Sequence, residues 1–164
     1  MSKNKSTAGF FKDIYKVARR MEGLNSESIF LAIFNKKESK NYIVSLNTWV
    51  QMYEDGKDGE GDELANVGGS YANSTVNDKK GKGLPYDHVT LYDTGDFYKT
   101  YKVTASKNEI LISANTIKVD DTGNSEDLKD RWGDDIIGLN SESLEALRLF
   151  AIPKIIELVK VKLT

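Results

Sequence analysis

Apolar residues recur at three- and four-residue steps in three parts of the chain, a spacing that places them on one face of an α-helix. The first part lies between residues 10 and 21, and Gly23 follows it as a candidate left-handed cap. Its apolar positions are Phe11, Ile14, Tyr15, Val17, Ala18 and Met21. The pattern predicts an amphipathic helix there, preceded by a polar and disordered segment over residues 1–8.

The second and third helical patterns are longer. Residues 26–53 are interrupted by a polar stretch between Asn35 and Asn41, so they predict one long helix or two in sequence. Residues 141–163 predict a C-terminal helix, which Pro153 should kink or split because proline lacks the backbone N–H of a helix interior.

The period changes to two beyond Val89, which is the spacing of a strand with one buried face. We predict strands over Tyr98–Ser106 and Glu109–Val119, joined by a hairpin connection from Ser106 to Glu109. These strands are expected to form a small antiparallel sheet.

Several residues are typical of the first or last position of a helix. Ser125 is expected to cap a short helix through Trp132, which Gly133 would end. The hexapeptide Gly-Leu-Asn-Ser-Glu-Ser occurs at 23–28 and again at 138–143. Each copy precedes a predicted helix, so shared N-capping chemistry explains the repeat.

Residues 54–88 show neither the helical nor the strand spacing of apolar residues. They begin with the Gly-rich acidic run EDGKDGEGDE and hold few apolar anchors, so we predict a long loop there. The whole pattern predicts an α+β fold in a single domain over residues 1–164. Its N-terminal helices and its C-terminal helix pack on the small antiparallel sheet.

The amino-acid composition excludes several kinds of catalytic and metal-binding site. The 164 residues include no cysteine and one histidine, which excludes disulfides, thiolate nucleophiles and sites with several histidine ligands. The chain has no apolar run long enough for a transmembrane helix, and residues 1–9 lack the apolar core of a signal peptide. We expect no cofactor, no metal and no contact with a membrane.

The net charge of −2 conceals an uneven distribution. Residues 1–53 carry nine basic and four acidic residues, whereas residues 54–96 carry four basic and ten acidic ones. A basic helical face beside a solvated acidic loop explains this pattern. Electrostatic complementarity between neighbouring copies in an assembly is the alternative interpretation.

The tripeptide Asp-Thr-Gly, at 93–95 and 121–123, is the clearest candidate for catalysis. Aspartic proteases place two such carboxylates around one proton. The two copies lie too close together for separate lobes, and Asp96 stands where that family has a small residue. A hydrolase acting through Asp93 is therefore the alternative function rather than the preferred one.

Other candidates have simpler explanations. Asp58, Glu60 and Asp62 alternate as in an EF-hand loop, but Glu63 replaces the required glycine, so an EF-hand is excluded. His88 lies beside Asp87 without an identifiable nucleophile, and Gly81-Lys82-Gly83 lacks the spacing of a P-loop. Trp49 and Trp132 are expected to be core or interface anchors.

Two motifs carry a family resemblance. Leu91-Tyr92-Asp93-Thr94-Gly95-Asp96-Phe97 precedes the predicted hairpin, and Gly138-Leu139 precedes the C-terminal helix. In this order and spacing, the chain resembles the head–tail connector, tail-completion and tail-terminator proteins of tailed bacteriophages. In that family, the first motif introduces a β-hairpin and the second leads into the last helix.

The resemblance implies a structural virion protein and not an enzyme. Its motif residues would be structural: Leu91, Thr94, Gly95, Phe97, Gly138 and Leu139. It implies a ring of copies, often six- or twelve-fold, at the head–tail junction, made in the host cytoplasm and carried in the virion. Its other partners would be neck, portal or tail proteins, and DNA that passes through without sequence-specific binding.

Overall fold

The computed structural model describes residues 26–106, 109–119 and 122–163. The predicted helix over residues 10–21, its Gly23 cap and the disorder over residues 1–8 lie outside the described residues. Within them the chain is an α+β fold, as predicted: helices and two small antiparallel sheets, with a long C-terminal helix.

The second helical pattern forms two helices in sequence. Helix α1 (Ser26–Phe34) and helix α2 (Lys37–Ser45) are separated by Asn35 and Lys36, and the extended Lys36 breaks the helix. The buried Ser39 hydroxyl donates to the Ile33 carbonyl at 2.7 Å, which fixes this break. Helix α2 continues directly into a π-helix (Leu46–Glu54).

The prediction of a loop throughout 54–88 was wrong, because two helices lie within it. Helix α3 spans Leu64–Gly68 and helix α4 spans Asn73–Lys82. Leu64 is fully buried, so tertiary packing holds this helix of only five residues. Helix α4 has lysines in its last turn, which suit the negative end of the helix dipole, and ends at Gly83 in the left-handed conformation.

The strand predictions were correct for the hairpin and wrong at its flanks. Strand β1 (Lys102–Ser106) pairs antiparallel with strand β2 (Glu109–Ser113), and Ser106 lies opposite Glu109. Helix α5 (Asp96–Lys99) replaces the predicted start of the first strand. The second predicted strand is divided into β2 and a separate strand β3 (Ile117–Val119).

The region after β3 also differs from the prediction. Ser125 does not cap a helix, since strand β4 (Ser125–Asp127) pairs antiparallel with β3. Helix α6 (Leu128–Trp132) follows, and its cap is the Asp127 carboxylate, which accepts the Lys129 N–H at 3.0 Å. Gly133 ends α6 as predicted, and a short 3₁₀ turn (Asp134–Ile136) follows.

The C-terminal helix α7 (Ser141–Leu163) is continuous through Pro153, so the predicted helix is confirmed and a split is not observed. The Asn140 side chain accepts the Ser143 N–H at 2.9 Å, which confirms the capping role of the second hexapeptide copy. None of the described helices has the length and apolar character that crossing a membrane requires.

Two clusters of buried side chains form the interior. Core 1 joins α1, α2, β1 and α7 through Ile33, Phe34, Ile43, Leu46, Val103, Ala105, Leu147 and Ala151. Core 2 lies around the π-helix and α6 and consists of Met52, Leu64, Val89, Tyr98, Tyr101, Leu128, Trp132 and Ile136. Val44 and Ile112 pack against both cores and link them.

Candidate functional site

The first motif forms a tight turn before α5. Leu91 has a φ of 53°, a left-handed conformation that is uncommon for leucine, and its side chain packs against core 2. Gly95 has a φ of 80°, and a Cβ there would lie 2.9 Å from the Tyr92 ring. Glycine therefore fits position 95 for both conformational and steric reasons.

Thr94 and Phe97 connect this turn to its surroundings. The Thr94 hydroxyl donates to the Asp96 carboxylate at 2.6 Å at the start of α5. The ring of Phe97 lies edge-on to Tyr101, with centroids 5.2 Å apart, and packs against core 2. The motif thus starts a helical turn, and α5 then leads to β1.

Asp93 is an ion-pair partner. Its carboxylate lies 2.7 Å from the Lys82 ammonium, which also lies 2.8 Å from Asp78. The hydrogen bond from Lys82 holds the pKa of the Asp93 carboxyl below its ordinary value. A protease dyad needs two carboxylates that share a proton, and Asp121 lies outside the described residues. The observed pairing gives Asp93 a role in joining α4 to the turn.

Sequence reasoning missed Lys79, which is buried beside this ion pair. Its ammonium donates to the Tyr92 carbonyl at 2.6 Å and to the Thr90 hydroxyl at 3.1 Å, and it lies over the Tyr71 ring. These contacts satisfy the charge with neutral acceptors and a π face. Lys79 therefore fastens α4 to the segment that enters the first motif.

The second motif is held by two side-chain amides of the π-helix, Asn47 and Gln51, both fully buried. Asn47 accepts the Gly138 N–H at 3.1 Å and donates to the Ile136 carbonyl at 3.3 Å. Gln51 donates to the Gly138 carbonyl at 3.0 Å and accepts the Asn140 N–H at 2.9 Å. This amide clamp orders the segment that leads into α7.

The amide clamp was also missed from the sequence. Asn47 and Gln51 are four residues apart, so they share a helix face. That spacing alone does not predict that their hydrogen-bond partners lie about 90 positions later in the chain. Tyr101 adds a third contact, since its hydroxyl donates to the Ile136 carbonyl at 2.7 Å. Burial of Tyr101 raises the pKa of this phenol, which keeps the donor protonated.

The structure does not bring the six predicted motif residues into one pocket. Leu91 and Phe97 pack against core 2, whereas Leu139 packs against core 1. Gly138 is held by the amide clamp. Within the described residues, the two motifs therefore connect different elements of the fold and do not form one site.

The remaining polar candidates have structural partners. Asp58 is buried, and its carboxylate accepts the N–H groups of Glu60 and Asp62, so it shapes the acidic turn. Both ring nitrogens of His88 lie against acceptors, Asp87 and the Tyr53 carbonyl, at 2.9 and 2.8 Å. No cluster suited to hold a metal ion occurs in the part of the chain that the structure describes.

The two tryptophans differ in their environments. Trp132 is buried in core 2, which agrees with a core anchor. Trp49 is exposed at the edge of an aromatic cluster with Tyr53, Tyr92 and Tyr98, with centroids 4.9 to 5.8 Å away. The aromatic cluster joins the π-helix to the first motif.

Helix α7 presents a second apolar side to solvent. We define its outer face as Leu144, Leu149, Ile152, Ile155 and Ile156, which are 37% to 58% exposed. The side that packs in core 1 carries the buried Leu147 and Ala151 and the partly buried Ala146, Phe150 and Leu158. A helix that is apolar on nearly all sides is typical of one buried between partners.

Three exposed apolar side chains lie on the strands of the two sheets. Leu111 on β2 is 60% exposed, and Ile117 and Val119 on β3 are 49% and 62% exposed. We call these three residues the strand patch. Exposed apolar side chains that together form a contiguous surface mark sites of protein association.

No family model, no curated protein and no solved structure matches the chain. The resemblance to phage connector proteins therefore stays an expectation from the sequence.

Proposed function

We propose that the chain is a structural subunit that assembles with copies of itself into a ring at the head–tail junction of a tailed-phage virion. The outer face of α7 is the observation that supports this proposal. Five large aliphatic side chains on that face remain exposed. Burying a fully exposed side chain of this size contributes about 1.5–3 kcal/mol, and these side chains are 37% to 58% exposed, so a partner that covers all five gains roughly half of that for each.

Ring closure needs two different surfaces, because each copy contacts the next through a heterologous interface. The outer face of α7 and the strand patch belong to different elements and are both apolar. The acidic region over 54–96 and the basic region over 1–53 add complementary charge to the same chain. These features support repeated head-to-tail contact.

The virion context rests on the two motifs of the resemblance. Both are rigid joints: Gly95 is confined beside Tyr92, and Gly138 is held by Asn47 and Gln51. A net charge near neutral also suits a channel through which DNA moves without being retained, since strong binding depends on basic excess.

Light scattering and electron microscopy of the purified full-length chain test the proposal. We expect discrete oligomers above the mass of one chain, and rings either of the chain alone or after addition of portal and tail proteins of the same virion. A strict monomer at all concentrations that joins no virion particle would overturn the proposal.

A further inference from the structure

The outer face of α7 lies well away from the side that packs in core 1. At 3.6 residues per turn, the centre of the outer face lies about 150° around the helix axis from the centre of the side that carries Ala146, Leu147, Phe150, Ala151 and Leu158. Helix α1 contributes Ile33 and Phe34 to the same core as Leu147 and Ala151. The outer face of α7 therefore points away from α1. Its leucine and isoleucine side chains are not covered by α1, so another segment could bind there.

Residues 10–21 have the properties of that segment. Their apolar residues recur at helical spacing, and they are joined to α1 through residues 22–25. Twelve residues of helix are about 18 Å long, and the outer face from Leu144 to Ile156 has about the same length along α7. The predicted helix over residues 10–21 and the outer face of α7 therefore have similar lengths, and both are apolar.

The short connection disfavours docking on the same chain. Helices pack about 8–10 Å apart, so a helix on the outer face and α1 would lie about 16 Å apart on either side of α7. Five residue steps join Met21 to Ser26 and reach about 17 Å when fully extended. The connection would have to be almost straight, whereas Gly23 and Asn25 predict a turn and a helix cap.

We infer that residues 10–21 of one copy bind as a helix to the outer face of α7 in the next copy. The inference rests on the proposed assembly, and it names the two surfaces that meet in the ring. Each copy donates one helix and receives one. Such a contact is heterologous and closes when the rotation between copies completes a circle.

The absence of cysteine from the sequence allows a direct test. Ala18→Cys and Ile155→Cys are made in separate full-length chains, which are mixed and treated with a short bismaleimide. The matched control replaces Ile155→Cys with Glu157→Cys, an exposed position on another side of α7. We expect a covalent dimer in the first mixture and at least five-fold less in the control.

A chain that carries both Ala18→Cys and Ile155→Cys should form a ladder of covalent oligomers. A crosslinked product that stays at the mass of one chain would overturn the inference, because the helix would then dock on its own α7. If either variant melts well below the unmodified chain, Ile152→Cys replaces Ile155→Cys on the same face.

Light scattering of the unmodified chain separates the two proposals. If the chain assembles and no crosslink between copies forms, the inference is overturned and the proposed function stands. If the chain stays a strict monomer both alone and with the portal and tail proteins, both proposals fail. Crosslinking between copies in assembled chains supports both.

Discussion

Gln51 accepts a hydrogen bond at 2.9 Å from the backbone N–H of Asn140, which lies 89 positions later in the chain. Asn140 in turn accepts the Ser143 N–H and caps α7. The amide clamp of the π-helix thus fixes the start of the helix that carries the outer face. This relationship links the buried polar interior to the proposed assembly surface.

The first prediction concerns this link. Gln51→Leu removes both the donor to the Gly138 carbonyl and the acceptor for the Asn140 N–H. Unsatisfied buried groups cost about 1–3 kcal/mol each, so we expect the free energy of unfolding to fall by about 2–4 kcal/mol. Urea denaturation measures the change. Val50→Ala, at a partly exposed neighbour, is the control and should cost less than about 1 kcal/mol; equal losses would contradict the role of the clamp.

Two glycines in helices should respond in opposite directions to alanine. A Cβ at Gly68 would lie 2.3 Å from the Trp132 indole, so Gly68→Ala should lower the free energy of unfolding by about 1–3 kcal/mol. Gly81 lies within α4 with nothing near its Cβ position, so Gly81→Ala should raise it by about 0.5–1 kcal/mol. Thermal denaturation of the pair checks the signs, and a gain for Gly68→Ala would refute the close contact.

The ion pair of Asp93 with Lys82 should make a small contribution to stability that depends on pH. Lys82 lowers the pKa of Asp93, so the contribution is present above the ordinary carboxyl value of about 4 and is lost as the pH falls through the lower native pKa. Both side chains are nearly half exposed, which limits the effect of Asp93→Asn near neutral pH to about 0.5 kcal/mol.

Urea denaturation near neutral pH and near pH 2 tests this dependence. The difference between Asp93→Asn and the unmodified chain should shrink in acid, because the native carboxylate takes up its proton as the pH falls through its lowered pKa. Glu126→Gln on the exposed strand β4 is the control. Peptide cleavage that Asp93→Asn abolishes would instead support the aspartic-protease alternative.

Charges on the outer face of α7 should prevent assembly without unfolding the subunit. Leu149→Glu combined with Ile156→Glu alters positions that are 58% and 47% exposed, so the melting temperature should change by only a few degrees. Light scattering should show the mass of one chain. The control combines Ser74→Glu with Asn77→Glu, which adds the same charge on exposed α4. Loss of assembly in both pairs would point to net charge rather than to the outer face.

Local pattern predicted the longer elements where an apolar periodicity is repeated over several turns. Helix α4, with ten residues, was missed because Val76 is its one large apolar residue. The two helices over 26–53, the hairpin of β1 and β2, and α7 follow from apolar spacing and turn residues alone. The shorter elements were not recoverable in this way. Helices α3 and α5 have five and four residues, and strands β3 and β4 have three each, too few for a repeated pattern.

The sequence by itself determined the α+β class, the order of the long elements, N-capping by the second hexapeptide copy and the glycine turn at Gly95. Only the tertiary structure decided the partners of Asn47, Gln51 and Lys79, and which side of α7 stays exposed. The physical reason is the range of the interactions. Helix spacing and capping act within a few residues, whereas a buried amide or ammonium is stable only where distant backbone groups supply its hydrogen bonds.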